Sequence, residues 1–368
     1  MEKRNVKLRD VLCALVFVVF IGLFFVLNIV IPAPTVLVSE RRIPAKMPEI
    51  TVESVLSGSF MNKFDDYAAD RFVFRDTFRM IRSYMVFDLY MQTDKSGLYR
   101  DREVGLGEFR QTNETSFRQT SERIKKAAVS LDGLDMNIYY SLVPDKSVFA
   151  GRYMPGFDQD AAEAILFDVF GEYEYIRLID KLSADVFYKT DIHWNQSKIK
   201  GVASDILGAM GANTELGQFT ETKAGLFKGV YAGQLALPVD ADTMYYLELP
   251  GLKVSYLNEK TLEFEPGLIY ETERFNGIDP YDLFLRGPQP LIIIENDAAP
   301  KRELYMFRDS FGSSLAPILA ASYSRVIVID LRYIHLSLID KFVEFVPGSD
   351  VLFIYSSQIF NNPSILQT

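Results

Sequence analysis

Residues 304–317 read LYMFRDSFGSSLAP, an apolar run that leads through a short polar turn into a series of small residues. The apolar run is typical of a buried strand, and the small residues after the turn predict a helix. Asp309 and Ser310 then lie at the carboxyl end of the strand. In open α/β sheets this edge is where ligands bind, so the turn is a candidate site.

Other short apolar runs surround this stretch, at 136–143, 291–296, 325–331 and 351–356. A helical stretch at 313–322 separates two of the runs. Such alternation predicts an α/β sheet that is covered by helices. The segment 224–290 differs, because glycines and prolines interrupt alternating patterns there, and it predicts a β-rich insertion.

The composition excludes several classes of protein. A chain of 368 residues with 48% hydrophobic content can bury a sizeable core. Acidic residues outnumber basic ones by 49 to 39, and no basic run interleaved with aromatics offsets them, so nucleic acid is not expected as a partner. The single cysteine, Cys13, supports neither an internal disulfide nor a cysteine-based metal site.

An uncharged apolar run at 11–32 has about the twenty residues that a helix needs to cross a bilayer. The preceding residues 1–10 carry four basic side chains, which predicts a cytoplasmic N-terminus and an extracytoplasmic remainder, with the membrane as a partner of the helix. A cleaved signal peptide with Ala33 in its processing site is the open alternative. Residues 33–50 mix prolines and charges as a stalk does, and 51–368 are expected to form the outer domain.

The segment YKTDIHWNQSK places Asp191 and His193 two residues apart, on one face of an extended chain. A carboxylate bonded to one ring nitrogen fixes the tautomer and leaves the other nitrogen to accept a proton from a hydroxyl such as that of Ser310. The alternative is that His193 only satisfies a local hydrogen bond. Asn195 is expected to start the following helix.

Backbone amides at the start of the helix after Ser310 can stabilise an oxyanion, and Gly312 permits a close approach there. An ordinary helix cap by Asp309 or Ser310 is the alternative. Arg308 is a candidate for binding an acidic sugar or an acyl carbonyl, or else a partner in a structural ion pair.

Three further readings concern the remaining aromatic and imidazole groups. Trp194, the only tryptophan, either stacks on a sugar ring or packs beneath the loop. His335 has no carboxylate at a useful spacing and is expected to be structural. A metal site of Asp191, His193 and Asp309 is disfavoured, because two histidines and no suitable cysteine make zinc chemistry improbable.

Several ordered motifs together resemble the bacterial DHHW protein family and, more widely, the alginate O-acetylation proteins with SGNH-hydrolase-like domains. They are VPDK at 143–146, TDIHWN at 190–195, DPYDLF at 279–284, RDSF at 308–311 and DLRY at 330–333. The resemblance implies a three-layer α/β/α sandwich without a cofactor. It also implies that Asp191 and His193 act as acid and base and that Ser310 is the nucleophile.

The order of the motifs resembles the permuted alginate-type arrangement, since the Asp-x-His segment precedes the serine. Two departures from the family pattern stand out. Ile192 replaces the second histidine of the family name, and Arg308 occupies the place of the glycine in a Gly-Asp-Ser block. The oxyanion donors stay open, with the turn at Gly233 and Gln234 as a contributor beside the Ser310 amide.

The resemblance and the outward anchor together predict acetyl transfer to the hydroxyls of an extracytoplasmic polysaccharide. A membrane-bound O-acyltransferase partner would supply the acyl group. Two alternatives remain: an esterase that uses the same three side chains, and a non-catalytic polysaccharide-binding or assembly protein on a hydrolase fold.

Overall fold

The structure is a computed structural model that describes residues 8–151, 156–213, 215–216 and 219–368. The chain divides into two compact units. The first comprises the described part of Met1–Tyr90 together with Gly233–Pro238, and the second comprises Met91–Ala232 and Val239–Thr368. The cytoplasmic N-terminus predicted with Lys3, Arg4 and Lys7 lies outside the described residues.

The α-helices of the described residues are α1 (Leu8–Val30), α2 (Val52–Leu56), α3 (Ser59–Arg71), α4 (Arg75–Tyr84), α5 (Glu114–Val129), α6 (Gln159–Phe170), α7 (Lys200–Ala209), α8 (Val230–Leu235), α9 (Ser310–Leu319) and α10 (Ser357–Phe360). The strands are β1 (Asp94–Lys95), β2 (Leu98–Asp101), β3 (Gly105–Glu108), β4 (Asn137–Val143), β5 (Glu174–Tyr175), β6 (Thr220–Phe227), β7 (Asp242–Glu248), β8 (Lys253–Leu257), β9 (Phe264–Pro266), β10 (Leu291–Glu295), β11 (Glu303–Arg308), β12 (Arg325–Ile329) and β13 (Asp350–Ser356). They confirm the predicted α/β class.

The second unit is built on an eight-stranded sheet in the order β5-β4-β13-β11-β12-β10-β8-β9. The pairs from β5 to β12 are parallel, whereas β10, β8 and β9 continue the sheet with antiparallel pairs. Strand β11 is central, and its neighbours β12 and β13 are nearly continuous apolar runs. Such runs are expected in parallel strands that are buried on both faces.

Two hydrophobic cores cover the two faces of this sheet. Successive side chains of β11 point to opposite faces, so Met306 packs in one cluster with Ile206 of α7 and Leu315 of α9. Phe307 packs in the other cluster with Ile124 of α5. Helices on both faces of a mostly parallel sheet leave its carboxyl edge open, and Ser310 follows β11 at that edge.

The segment 224–290, predicted as a β-rich insertion, holds β7, β8, β9, the second half of β6 and the short helix α8. Strand β6 pairs with β7 in a two-stranded ribbon, whereas β8 and β9 extend the main sheet beyond β10. The connection after β9 carries two 3-10 turns, at Thr272–Asn276 and Pro280–Leu283, and the second contributes to the site. This second turn belongs to a small aromatic cluster of its own that includes Tyr188 and Phe284.

The first unit contains α1, whose 23 residues are long and apolar enough to cross a membrane. The predicted stalk contains a short antiparallel bridge between Leu37 and Arg42, and α3 and α4 follow it. A π-helical turn at Met85–Leu89 extends α4. Helix α2 begins at Val52, next to the boundary expected at residue 51, and the described residues up to Tyr90 form a unit apart from the α/β unit that begins at Met91.

The burial of side chains in the sheet leads to a prediction about the free energy of unfolding. Ile327 of β12 is fully buried, so Ile327→Ala should lower the free energy of unfolding by about 2–5 kcal/mol through lost apolar contact and an unfilled cavity. Leu268→Ala, at a side chain that is 61% exposed, is the matched control and should change it by less than about 0.5 kcal/mol. Urea unfolding of both variants measures the difference, and equal losses would contradict the packing described.

Candidate active site

The segment that carries Asp191 and His193 is a tight loop held from both sides. The amide of Tyr188 donates to the carbonyl of His193 at 3.0 Å and closes the loop. Thr190 donates its amide and its hydroxyl to the carboxylate of Asp242, at 2.7 and 2.5 Å. The Thr190 hydroxyl in turn accepts from the amide of Gly229 at 2.8 Å. These bonds leave the loop little conformational freedom.

Asp191, His193 and Ser310 form a continuous chain of hydrogen bonds. Asp191 is fully buried, and its Oδ1 lies 2.7 Å from Nδ1 of His193. Its Oδ2 accepts from the amide of Val230 at 2.9 Å, so both carboxylate oxygens are fixed. Nε2 of His193 lies 2.8 Å from Oγ of Ser310, across 117 positions of sequence. With Nδ1 protonated, Nε2 is oriented to accept the hydroxyl proton.

Ser310 is the first residue of α9 and is half-buried, whereas Asp191 and His193 are buried. Asp309 caps this helix: its Oδ1 accepts from the amide of Phe311 at 3.0 Å and its Oδ2 from the amide of Ser356 at 2.8 Å. Both oxygens of Asp309 are therefore engaged by backbone, and the serine hydroxyl is left to the imidazole. The amides of Phe311 and Gly312 donate to Oδ1 and to the carbonyl of Asp309, at 3.0 and 3.1 Å.

Gly312 allows α9 to lie close to β11. A Cβ at this position would be 2.5 Å from Cβ and 2.8 Å from Cγ of Arg308, closer than any side chain tolerates. The glycine anticipated for a close approach thus serves the packing of helix on strand. This packing sets the height of Ser310 above the sheet edge.

Arg308 is 1% exposed, so its guanidinium lies beneath the surface. Its Nη1 donates to Asp330 Oδ2 and to the carbonyl of Asp309, both at 3.2 Å, and Asp330 also accepts from Arg332 at 2.7 Å. Burial lowers the pKa of Arg308. Nε and Nη2 of Arg308 have no hydrogen-bond partner among the described residues. Of the two roles considered for Arg308, the structure has the ion pair. It lies next to the turn that carries Ser310.

The ring of Tyr281 stacks on the imidazole of His193, with centroids 3.8 Å apart and planes 8° from parallel. Its hydroxyl donates to Oγ of Ser314 at 2.8 Å, and Ser314 also accepts from Nε1 of Trp194 at 2.8 Å. Burial raises the pKa of Tyr281, so this hydroxyl stays protonated. Trp194 is fully buried and therefore supports the loop from below instead of facing a sugar.

Lys146 holds the other side of the loop. Its Nζ donates to the carbonyls of Tyr188 and Asp191, at 2.8 and 3.0 Å. The side chain is 3% exposed, and burial lowers the pKa of Lys146 to about 8. The ammonium group thus donates to backbone carbonyls of the segment that carries Asp191. These bonds fix the position of the Asp191 carboxylate.

The remaining candidates lie apart from this chain of bonds. Asn195 caps the short turn Gln196–Lys198 that precedes α7. Gly233 and Gln234 belong to the first unit, where their carbonyls accept from Nη2 of Arg79 at 3.0 and 2.8 Å. Their role as oxyanion donors stays a prediction. His335 is exposed and caps a turn through Ser337.

Two residues of the site were not singled out from the sequence, namely Tyr281 and Lys146. Tyr281 lies in DPYDLF and Lys146 in VPDK, two motifs that carried the family resemblance. Their place in these motifs was the feature of the sequence that could have identified them. Among the residues that the structure describes, no three His, Cys, Asp or Glu side chains are grouped as a metal ion would require.

The fold is shared with solved structures of other proteins. A DHHW family protein from Eubacterium siraeum is 16% identical, over 73% of this chain and 93% of its own, with a TM-score of 0.56. PatB1 of Bacillus cereus with a sulfonyl adduct is 18% identical, over 73% and 98%, with a TM-score of 0.53. The O-acetyltransferase domain of Pseudomonas putida AlgJ is 12% identical, over 73% and 92%, with a TM-score of 0.43.

The first two of these likenesses confirm, at the level of the fold, the resemblance that the sequence motifs suggest. No protein-family model and no curated protein matches the chain.

The stacked ring predicts a role for Tyr281 in orienting His193. Tyr281→Leu removes the ring face, and the reaction of Ser310 with a sulfonyl fluoride should slow by about 10-fold or more, since small misplacement of a catalytic group is costly. Tyr281→Phe keeps the ring and loses only the hydroxyl, so it should react within about threefold of the parent. Mass spectrometry measures the rate of this reaction as the increase of the modified peptide with time. Equal rates for both variants would contradict this role.

The lowered pKa of Lys146 predicts a pH-dependent stability. Between pH 8 and pH 10.5 the unfolded chain holds a proton on this lysine that the folded chain has released, so folded stability rises with pH. The gain is about 1.4 kcal/mol per pH unit and about 3 kcal/mol in total. Urea unfolding of the parent and of Lys146→Met at the two ends of this range measures it. A parent-minus-variant difference that does not change with pH would contradict the assignment.

Proposed function

We propose that the chain is a membrane-anchored acyltransferase that carries an acetyl group on Ser310 and delivers it to hydroxyls of an extracytoplasmic polysaccharide. The observation that carries the proposal is the hydrogen-bond chain from Asp191 through His193 to Ser310, at 2.7 and 2.8 Å. It ends on a half-buried serine at the carboxyl edge of a parallel sheet. This is the arrangement that activates a hydroxyl nucleophile.

In the first step, Oγ of Ser310 attacks the carbonyl carbon of the acyl donor while Nε2 of His193 takes the hydroxyl proton. The amide of Ser310, at the start of α9, would stabilise the negative charge that develops on the carbonyl oxygen. Collapse of this intermediate breaks the bond to the leaving group, which receives the proton from Nε2. The products are acyl-Ser310 and the free donor alcohol or thiol.

In the second step, a sugar hydroxyl attacks the acyl carbon and its proton passes to Nε2 of His193. The bond to Oγ of Ser310 then breaks, and Oγ takes the proton back. Asp191 keeps Nδ1 protonated and stabilises the imidazolium in both steps, because both of its oxygens are held in place. The step conserves the acyl group and needs no cofactor.

The acetyl group and the polysaccharide rest on the resemblance of 190–195 and 308–311 to alginate O-acetylation proteins. A further support is chemical. PatB1, which shares the fold, has been solved with a sulfonyl adduct, and sulfonyl groups attach to activated nucleophiles. The same chemistry is expected at Ser310 of this chain.

The anchor part of the proposal rests on α1 and on the basic residues before it. A spanning helix with its N-terminus in the cytoplasm would place the α/β unit outside the cell membrane. A membrane-bound O-acyltransferase would then present the acyl donor at the same membrane, which accounts for tethering this unit.

Ester cleavage by the full-length chain in detergent tests the mechanism. Ser310→Ala and His193→Ala should each lower the rate of p-nitrophenyl acetate cleavage by on the order of 1000-fold or more, because each removes a member of the proton relay. His335→Ala is the matched imidazole control and should stay within about twofold. A sulfonyl fluoride should transfer its sulfonyl group to Ser310 with loss of HF, so the peptide containing Ser310 should gain the mass of the reagent less that of HF.

Ester cleavage that persists in the Ser310→Ala variant would overturn the mechanism. With the mechanism standing, acetylated and unacetylated oligosaccharides separate transfer from hydrolysis. Acetyl that appears on an added acceptor supports the transferase, and loss of acetyl from an acetylated oligosaccharide in its place assigns an esterase. A folded chain that is inert to both the ester and the sulfonyl fluoride favours binding or assembly.

A further inference from the structure

Helix α4 and the π-helical turn after it carry an apolar stripe on their exposed side. Its members are Phe74, Phe78, Ile81, Met85 and Leu89, which are 55, 41, 46, 39 and 66% exposed. The spacing of three and four residues puts Phe78, Ile81 and Met85 on one face at α4 and its end, while Phe74 flanks them at the N-cap and Leu89 in the π-helical turn. Five large apolar side chains in a row are more than a water-facing helix ordinarily shows.

The opposite face of α4 is polar and is already engaged inside the first unit. Nη2 of Arg79 donates to the carbonyls of Gly233 and Gln234, and the hydroxyl of Ser83 donates to the carbonyl of Leu235. Arg79 also pairs with Glu40 at 2.9 Å. The helix therefore turns its polar side toward protein and its apolar side outward, the reverse of a helix on a water-soluble domain.

The apolar side is continuous with α1. Phe24 of α1 stacks on Phe72 at 5.7 Å and meets Phe78 at 5.6 Å, and Oδ1 of Asn28 accepts from the amide of Val73 at 3.0 Å. Phe24 lies six residues before the end of α1, which corresponds to about 9 Å along a helix. If α1 spans a bilayer, the start of α4 therefore lies below the level of the lipid headgroups.

A cavity of about 890 Å³ lies at the same depth between α1 and α3. Its lining is mainly aromatic and aliphatic and includes Phe20, Ile21, Phe25, Phe64 and Tyr67. Arg71 stands at its wall with the guanidinium 4.1 Å from the ring centre of Tyr67. An apolar cavity against a membrane-spanning helix, with a cation beside it, fits a hydrocarbon chain with an anionic headgroup.

We propose that α4 and the turn Met85–Leu89 lie in the outer leaflet of the bilayer, with the apolar stripe on lipid acyl chains and one acyl chain in the cavity beside α1. The inference rests on the anchor part of the proposed function. Arg82, which is exposed at the border of the stripe, reaches toward the lipid phosphates. The chain is then held by the bilayer at two places, the spanning helix and the embedded helix.

Fluorescence quenching in the full-length chain tests this arrangement. Cys13 is the only cysteine, so Cys13→Ser gives a clean background for single labels. A bimane label is placed through Phe74→Cys or Ile81→Cys on the stripe, through Asp66→Cys on the exposed far side of α3, and through Val18→Cys in the middle of α1. Each protein is reconstituted into vesicles of phosphatidylcholine and phosphatidylglycerol.

The labels at 74 and 81 should be quenched by nitroxide lipids that carry the nitroxide near the headgroup. Their quenching by aqueous iodide should be at least about threefold weaker than at 66, because acyl chains exclude the ion. The label at 18 should respond to nitroxides near the bilayer centre. The two stripe positions report independently, so a local disturbance at one does not decide the outcome.

Three results would overturn the inference. Strong iodide quenching at 74 and 81, with lipid quenching at 18, leaves the anchor standing and places the stripe in water. Protection of 74 and 81 from both quenchers means that protein covers the stripe. Iodide quenching at 18 as well would overturn the anchor itself, and with it the membrane part of the proposed function.

Discussion

The hydrogen bond between the buried Asp191 carboxylate and Nδ1 of His193, 2.7 Å long, is the interaction that organises the second unit's site. A carboxylate that is fully removed from water is costly unless every lone pair finds a donor. Here the imidazole and the amides of His193 and Val230 supply the donors. Removing one of them would leave a buried charge without compensation, so the loop, its supports and the imidazole are bound to one geometry.

That requirement explains why so much of the surrounding structure is rigid. Lys146 gives its ammonium to two carbonyls of the loop, and Thr190 ties the loop to Asp242. Tyr281 covers the imidazole with its ring, and its hydroxyl shares Ser314 with Trp194. Lys146 and Thr190 restrain the backbone of the loop. Tyr281 restrains the plane of the imidazole, and Trp194 with Ser314 supports the loop from below. Pre-organisation of this kind lowers the reorganisation that a proton transfer requires.

The first unit follows a different physical rule. Its apolar side chains are exposed along α1 and α4, whereas the carboxylate of Asp70 is buried and pairs with the exposed Arg42 at 2.5 Å. A polar interior with an apolar exterior is stable where the surroundings are hydrocarbon, because the solvent then no longer penalises exposed apolar surface. The proposed membrane embedding would account for this contrast, since the first unit would then face hydrocarbon and the second unit water.

The local sequence determined the α/β class, since the short apolar runs at 291–296, 325–331 and 351–356 all became strands of one sheet. It also indicated the pairing of Asp191 with His193, although the extended chain assumed for it was wrong: the segment is a tight loop that brings the two side chains together. The outer domain expected at 51–368 did not anticipate a separate unit that includes the residues up to Tyr90, since contacts and not periodicity define a unit.

The tertiary structure alone decided that His193 meets Ser310 across 117 positions, that Tyr281 stacks on the imidazole and that the α4 stripe points outward. These relations arise from long-range packing, and no local pattern of residues encodes a distance between distant parts of a chain.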